Sequence, residues 1–162
     1  MINLKKYSLC TVDGKIDSAS RRSLDANAIG HISKFASKTL AHQDTTLRDF
    51  LDQLHKALAV SQVKIFFNEY GRCVGYVIWA FLSPDVERQF VQYGPRRLNQ
   101  WEFNEGLSPW IIDFQILPGC LHFSIIEIKK NIFKDYGKVT YWKRRNGRFL
   151  LKLFFREHRP LA

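Results

Sequence analysis

The chain predicts an α+β fold: a mixed, largely antiparallel sheet flanked by helices, in one domain. Three observations lead there. Two stretches with helical apolar spacing occupy the first third of the chain. From residue 63 onward, short runs of period two dominate, and two further helical stretches are set among them. The resulting order is α-α-β-β-α-β-α-β-β, which suits a sheet with helices on its faces. At 162 residues, 46% of them hydrophobic, the chain can enclose a sizeable core.

Residues 1–22 read as an N-terminal extension, with Thr11-Val12-Asp13-Gly14 as a turn and Ser18-Ala19-Ser20 as a linker. Residues 23–162 read as the domain. Over 24–40, Ile29, Ile32, Phe35, Ala36 and Leu40 recur at helical spacing. Thr46 with Asp49 predicts a capping box, opening a helix whose Leu47, Phe50, Leu51, Leu54 and Leu58 form one stripe. Val63–Phe67 and Cys73–Leu82 read as strands joined by a turn at Asn68-Glu69-Tyr70-Gly71. Ser83-Pro84-Asp85 starts a helix with a hydroxyl cap, a proline at its first position and an acid in its first turn.

That helix stops at Gly94-Pro95, and a polar loop leads to a strand over 110–117. Here Trp110, Ile112, Phe114 and Ile116 are expected on one face, with Ile111, Asp113 and Gln115 on the other. Leu121, Ile125, Ile128 and Ile132 mark another helix. Strands over 139–143 and 149–155 close the chain around Asn146-Gly147, a favoured dipeptide of tight hairpins.

Several classes are excluded. No apolar run approaches the ~20 residues of a membrane span, and the N-terminus lacks a signal-peptide core, so the cytoplasm is the expected location. Cys10, Cys73 and Cys120 have no C-x-x-C spacing, which predicts neither a disulfide framework nor a zinc site. The net charge is +10, and residues 129–162 hold eleven Lys and Arg against Asp135 and Glu157. Such a block predicts an acidic partner.

Two residues stand out as candidates for chemistry. Asp113 lies in the apolar run Trp110-Ile111-Ile112-Asp113-Phe114, where an unpaired charge would be costly, so it needs a partner. A histidine on a helix crossing that strand would provide one and could move protons near neutral pH. Physics alone does not rank His42 above His31 or His122.

A resemblance does. Ile29-Gly30-His31-Ile32-Ser33 through His42, then Ile78-Trp79-Ala80-Phe81-Leu82, Trp110-Ile111-Ile112-Asp113-Phe114 and Gly137-Lys138-Val139 resemble the RTX toxin-activating lysine acyltransferases. The resemblance spans roughly residues 29–150. It implies a GNAT-like fold, with His42 and Asp113 as the essential pair. It also implies transfer of a fatty acyl chain from acyl-acyl carrier protein to internal lysines of an exported protoxin or bacteriocin-like peptide. No separate cofactor or metal is then expected, because the carrier delivers the acyl-phosphopantetheine thioester. Arg96, Arg97 and Asn99 are candidates for contacting the donor's phosphates, and backbone N–H groups at a kink over 115–119 for holding the oxyanion. Relatives imply a homodimer, and membrane-surface contact through the basic hairpin is compatible with this reading.

The chain departs from the family pattern at Lys34-Phe35-Ala36, at Thr39-Leu40-Ala41 and at Asn104-Glu105-Gly106-Leu107. The competing reading is a nucleic-acid-binding module. In it, Tyr141, Trp142, Phe149, Phe154 and Phe155, interleaved with Lys and Arg, would stack on bases. A gel shift persisting at ~0.2 M salt would support it.

Overall fold

The computed structural model describes residues 18–39, 45–145 and 148–155. Helix α1 (Ser18–Ala36) starts six residues before the periodic stretch over 24–40, inside the expected extension. Helix α2 (Leu47–Ala59) opens on Thr46, whose hydroxyl accepts the Asp49 N–H at 3.1 Å. The reciprocal half of the capping box is not used, because the Asp49 carboxylate pairs with Arg97 instead. Strands β1 (Val63–Phe67) and β2 (Cys73–Leu82) lie where the alternation places them. Helix α3 (Pro84–Tyr93) begins at its proline, but the Ser83 hydroxyl does not cap it and turns to Glu105 at 3.4 Å.

A single helical turn at Trp101–Phe103 precedes β3 (Ser108–Ile116). Helix α4 (Leu121–Glu127) runs on into a π-helical turn at Ile128–Ile132. Strands β4 (Lys138–Arg145) and β5 (Arg148–Phe155) end the described chain, and the Asn146-Gly147 turn between them lies outside the described residues. The five strands are ordered β1-β2-β3-β4-β5, antiparallel at every junction except β3–β4, which is parallel. The expected α+β architecture is therefore the observed one.

The sheet is covered on both faces. One core packs α1, α2 and α3 on Tyr76, Ile78, Ala80, Leu82 and Trp110. The other packs the α4 side on Phe66, Val74, Val77 and Val139. That second face also holds an ion pair, Lys64 Nζ to Glu127 Oε1 at 2.8 Å, between β1 and α4. Burial pushes the Glu127 carboxyl up, but hydrogen bonds from Lys64 and Asn131 outweigh it and hold its pKa below the ordinary value. Cys73 is half-buried, and its thiol is pushed up by desolvation, as befits a packed cysteine.

Candidate active site

The site is set by an irregularity in β3. Along the β2–β3 ladder Ile78 pairs with Asp113 but Trp79 pairs with Ile111, so Ile112 is an extra residue, a β-bulge. Partners across an antiparallel ladder share a face. Trp110, opposite Ala80, therefore faces the α1–α3 core, and Asp113, opposite Ile78, faces the same way. Phe114 and Ile116 fall on the opposite face, against the α4 core. The regular alternation expected from the sequence is thus broken. Without the bulge Asp113 would point toward α4.

On that face Asp113 meets two donors. The Tyr76 hydroxyl donates to Oδ2 at 2.7 Å, and the Gln115 amide donates to Oδ1 at 3.1 Å. Tyr76 pairs with Gln115, which makes it the diagonal neighbour of Asp113, within reach of a long aromatic side chain. Burial, then the negative charge of Asp113, push the Tyr76 phenol far above its ordinary range. It therefore stays a donor throughout the physiological range. The Tyr76 ring is fully buried and meets Phe35, in the last turn of α1, edge-on at 6.2 Å between ring centroids. Gly75 permits the close strand approach here, since a Cβ would collide with the Gln115 carbonyl oxygen and with Ile116.

The bulge also ends a strand pairing. The parallel β3–β4 ladder consists of Trp110 with Thr140 and Ile111 with Tyr141, and stops at the residue before Ile112. A bulge bends the strand that carries it, and beyond Ile111 and Tyr141 the two strands are no longer paired. On β4 the next residue is Trp142, on the same face as buried Thr140 and packed against the α1–α3 core. Its cross-strand partner Leu151, and Leu153 opposite Thr140, continue that apolar face while remaining partly exposed. Lys143, Lys152 and Arg148 alternate onto the other face and are exposed.

The remaining candidates are placed unequally. His42 lies outside the described residues, three positions beyond Thr39 and three before Thr45. Arg96 makes a two-pronged pair with buried Glu102, Nη1 to Oε2 at 3.0 Å and Nη2 to Oε1 at 2.6 Å. The Arg96 hydrogen bonds hold the Glu102 carboxyl below the usual carboxylate range, although burial opposes this. The Asn99 backbone N–H donates to the same Glu102 at 2.7 Å, and Arg97 pairs with Asp49 of α2. The three residues proposed for the donor's phosphates thus share one rigid loop, with Arg96 and Arg97 each engaged by a carboxylate. Within the expected kink the chain turns at Leu117–Cys120, with Gly119 at positive φ, and the Leu117 N–H is taken by the Val74 carbonyl at 2.8 Å.

Two features escaped the sequence reading. Tyr76 carried a usable signal, because a tyrosine inside an otherwise apolar strand must find a partner for its hydroxyl. The bulge had none, since Ile112 is as apolar as its neighbours. The departing segment Asn104-Glu105-Gly106-Leu107 proves to be docked on the end of β2. The Gly106 N–H donates to the Phe81 carbonyl at 2.8 Å, and Asn104 accepts from the Gln62 amide at 3.2 Å. Among the described residues no group of three or more His, Cys, Asp or Glu is placed to hold a metal ion, and no helix is long and apolar enough to cross a membrane.

Comparison with known proteins puts a chain with this sheet and this oriented carboxylate among the acyltransferases. Specifically, it belongs to the RTX toxin acyltransferase family, HlyC, whose family model matches residues 22–152. The matched span takes in His42, Arg96, Arg97, Asn99 and Asp113. Among curated proteins no match is found. A solved acetyltransferase of the GNAT family from Listeria monocytogenes 4b F2365 is similar at 10% identity, covering 92% of this chain and 94% of its own, with a TM-score of 0.46.

Proposed function

We propose that this acyltransferase moves a fatty acyl chain from acyl-acyl carrier protein to the ε-amine of internal lysines in an exported protoxin or bacteriocin-like peptide, with His42 and Asp113 as its proton-handling pair. The observation that carries this reading is the orientation of Asp113. The bulge turns its carboxylate onto the face where α1 packs, Tyr76 and Gln115 fix its two oxygens, and α1 leads within six residues of its end to His42.

The chemistry follows from the groups. A lysine amine has an ordinary pKa of about 10.4 and must shed a proton before it can attack. Neutral His42 accepts that proton, while Asp113 orients the imidazole and stabilises its charged form. The amine nitrogen then bonds to the thioester carbonyl carbon and gives up its remaining excess proton to solvent, and the tetrahedral intermediate collapses with cleavage of the C–S bond. The imidazolium returns its proton to the departing thiolate of the carrier's phosphopantetheine. The thioester is already activated, so the reaction calls for no resident cofactor.

The exposed Lys143, Arg148 and Lys152 suit an acidic carrier protein. Cytoplasmic action, before export of the acceptor, fits the same reading, as does assembly as a homodimer. Intact-mass spectrometry tests it. Lysine-bearing acceptors incubated with the protein and a set of acyl-acyl carrier proteins should gain the mass of one acyl chain. The gain should vanish with His42→Ala or Asp113→Ala while each variant keeps its circular dichroism spectrum. A mass gain that persists in either folded variant would remove that residue from the reaction.

A further inference from the structure

The Trp142 indole nitrogen is buried, and among the described residues its N–H meets no acceptor. Buried donors are almost always hydrogen-bonded, so such a group calls for a reason. Two other buried polar atoms share this condition, the Ser33 hydroxyl and the Gln62 Oε1. Gln62 still uses its amide nitrogen toward Asn104, and Ser33 sits within α1, not on the sheet.

Trp142 is differently placed. It is the first residue of β4 beyond the paired Tyr141, where β4 loses β3 as a neighbour. Its face of the sheet is that of Trp110, Tyr76 and Asp113. The same face continues onto Leu151, its cross-strand partner, and Leu153, both partly exposed. A donor with no acceptor among the described residues thus stands between an oriented carboxylate and an apolar surface, beside the point where the β3–β4 pairing ends. That combination matches an extended ligand carrying a carbonyl oxygen next to an alkyl chain.

We infer that the Trp142 Nε1–H is held in reserve as the hydrogen-bond donor to a carbonyl of the acyl donor's arm, with the indole ring forming the near wall for the acyl chain. This rests on the acyl-carrier reading above and adds to it a binding residue that selects the donor. The N–H is shielded from water, so a bond formed there lies in a dry setting where it is worth more than in solvent. A donor lacking that carbonyl would leave the N–H unsatisfied and bind less well.

The test uses the full chain, myristoyl-acyl carrier protein as donor and the unacylated holo carrier as control. The sequence has four tryptophans, so a ¹⁵N-labelled sample shows four indole N–H signals, and single Trp→Phe variants at the other three positions assign that of Trp142 by elimination. Saturation with the acylated carrier should move the Trp142 signal downfield by more than the other three. Movement with both carrier forms would place the bond on an amide of the arm, and movement with the acylated form alone would place it on the thioester. Trp142→Phe keeps an aromatic, though smaller, side chain at this position and removes the donor. It should raise KM for the acylated carrier about 5–10-fold, as expected for one lost hydrogen bond, with kcat changed less than about twofold.

A wild-type protein that transfers the acyl chain while its Trp142 signal stays in place at saturation would overturn the inference and leave the acyltransferase reading standing. A folded Trp142→Phe variant with wild-type KM would do the same. If the wild type neither binds nor deacylates the carrier, the carrier reading falls, and the role of Trp142 falls with it.

Discussion

Two carboxylates that both follow α3 in the chain are held in contrasting ways. Glu102 is buried in the loop after α3, gripped by both nitrogens of the Arg96 fork and by the Asn99 N–H. Asp113 is half-buried in β3 and receives the Tyr76 phenol and the Gln115 amide. A guanidinium brings a charge of its own to the carboxylate it binds, whereas a phenol and an amide supply direction through neutral donors. Glu102 is therefore built to hold a loop in place. At Asp113 the phenol and the amide fix the directions of the two carboxylate oxygens.

Substitutions should separate the two roles. The largest effect is expected at Asp113. Asp113→Asn keeps the shape and removes the charge, and acyl transfer should fall about 10²–10⁴-fold, the usual contribution of positioned acid–base chemistry. Its melting temperature should stay close to that of the wild type. A single-turnover assay read beside a thermal melt decides this, and a large drop in melting temperature would show that Asp113 is mainly structural.

Arg96→Ala should show the reverse pattern. It leaves Glu102 buried without its guanidinium, at a cost on the order of 2–4 kcal/mol; the upper end is tempered because Arg96 keeps about a third of its side chain in water. Urea unfolding should register the loss. Because the folded-state pKa of Glu102 is depressed, its stabilising effect is fully present above the ordinary carboxylate pKa of about 4.3. It is lost as the pH falls through the lower folded value. The gap between wild type and Arg96→Ala should therefore be wide at pH 7 and narrow below pH 4. A gap that does not change with pH would mean that Arg96 contributes through packing on Phe90, over which its guanidinium lies 5.7 Å from the ring centroid.

Tyr76→Phe probes the orienting donor. The ring contact with Phe35 is kept and one hydrogen bond to a charged group is lost, worth roughly 1.5–3 kcal/mol. The rate should drop about tenfold or more if orientation matters to transfer, with KM for the acceptor little changed. The pH response has the opposite sign to that of Glu102. The folded-state pKa of Tyr76 is raised, so its contribution is complete below the ordinary tyrosine value of about 10 and fades as the pH climbs through the folded value. Ultraviolet titration of folded wild type should accordingly find one of the six tyrosines still protonated after the exposed ones have ionised. Smallest of all, Thr46→Ala should cost about 1 kcal/mol through the lost cap on α2 and leave catalysis untouched.

Much of this fold was legible because its signals are local. The strands Val63–Phe67 and Cys73–Leu82 follow from alternation, α3 from Pro84, and the element order from the change of period at residue 63. Asp113 could be singled out because a charge in an apolar strand is costly in almost any fold. The capping box was half right for an instructive reason: the Thr46 hydroxyl acts on its own helix, but Asp49 had a better partner in Arg97, 48 residues away.

What the sequence by itself determined was the set of elements, the covering of the sheet by helices and the presence of a carboxylate that needed a partner. Those properties depend on side-chain period and on desolvation, which neighbouring residues carry with them. Tertiary structure alone decided which way that carboxylate points. An extra residue at Ile112 reverses the phase of β3, bringing Asp113 to Tyr76 and releasing β3 from β4 beside Trp142. Isoleucine fits a bulge and a regular strand equally well, so the choice was made by the register of β2 against β3, a contact across more than thirty residues that no local pattern encodes.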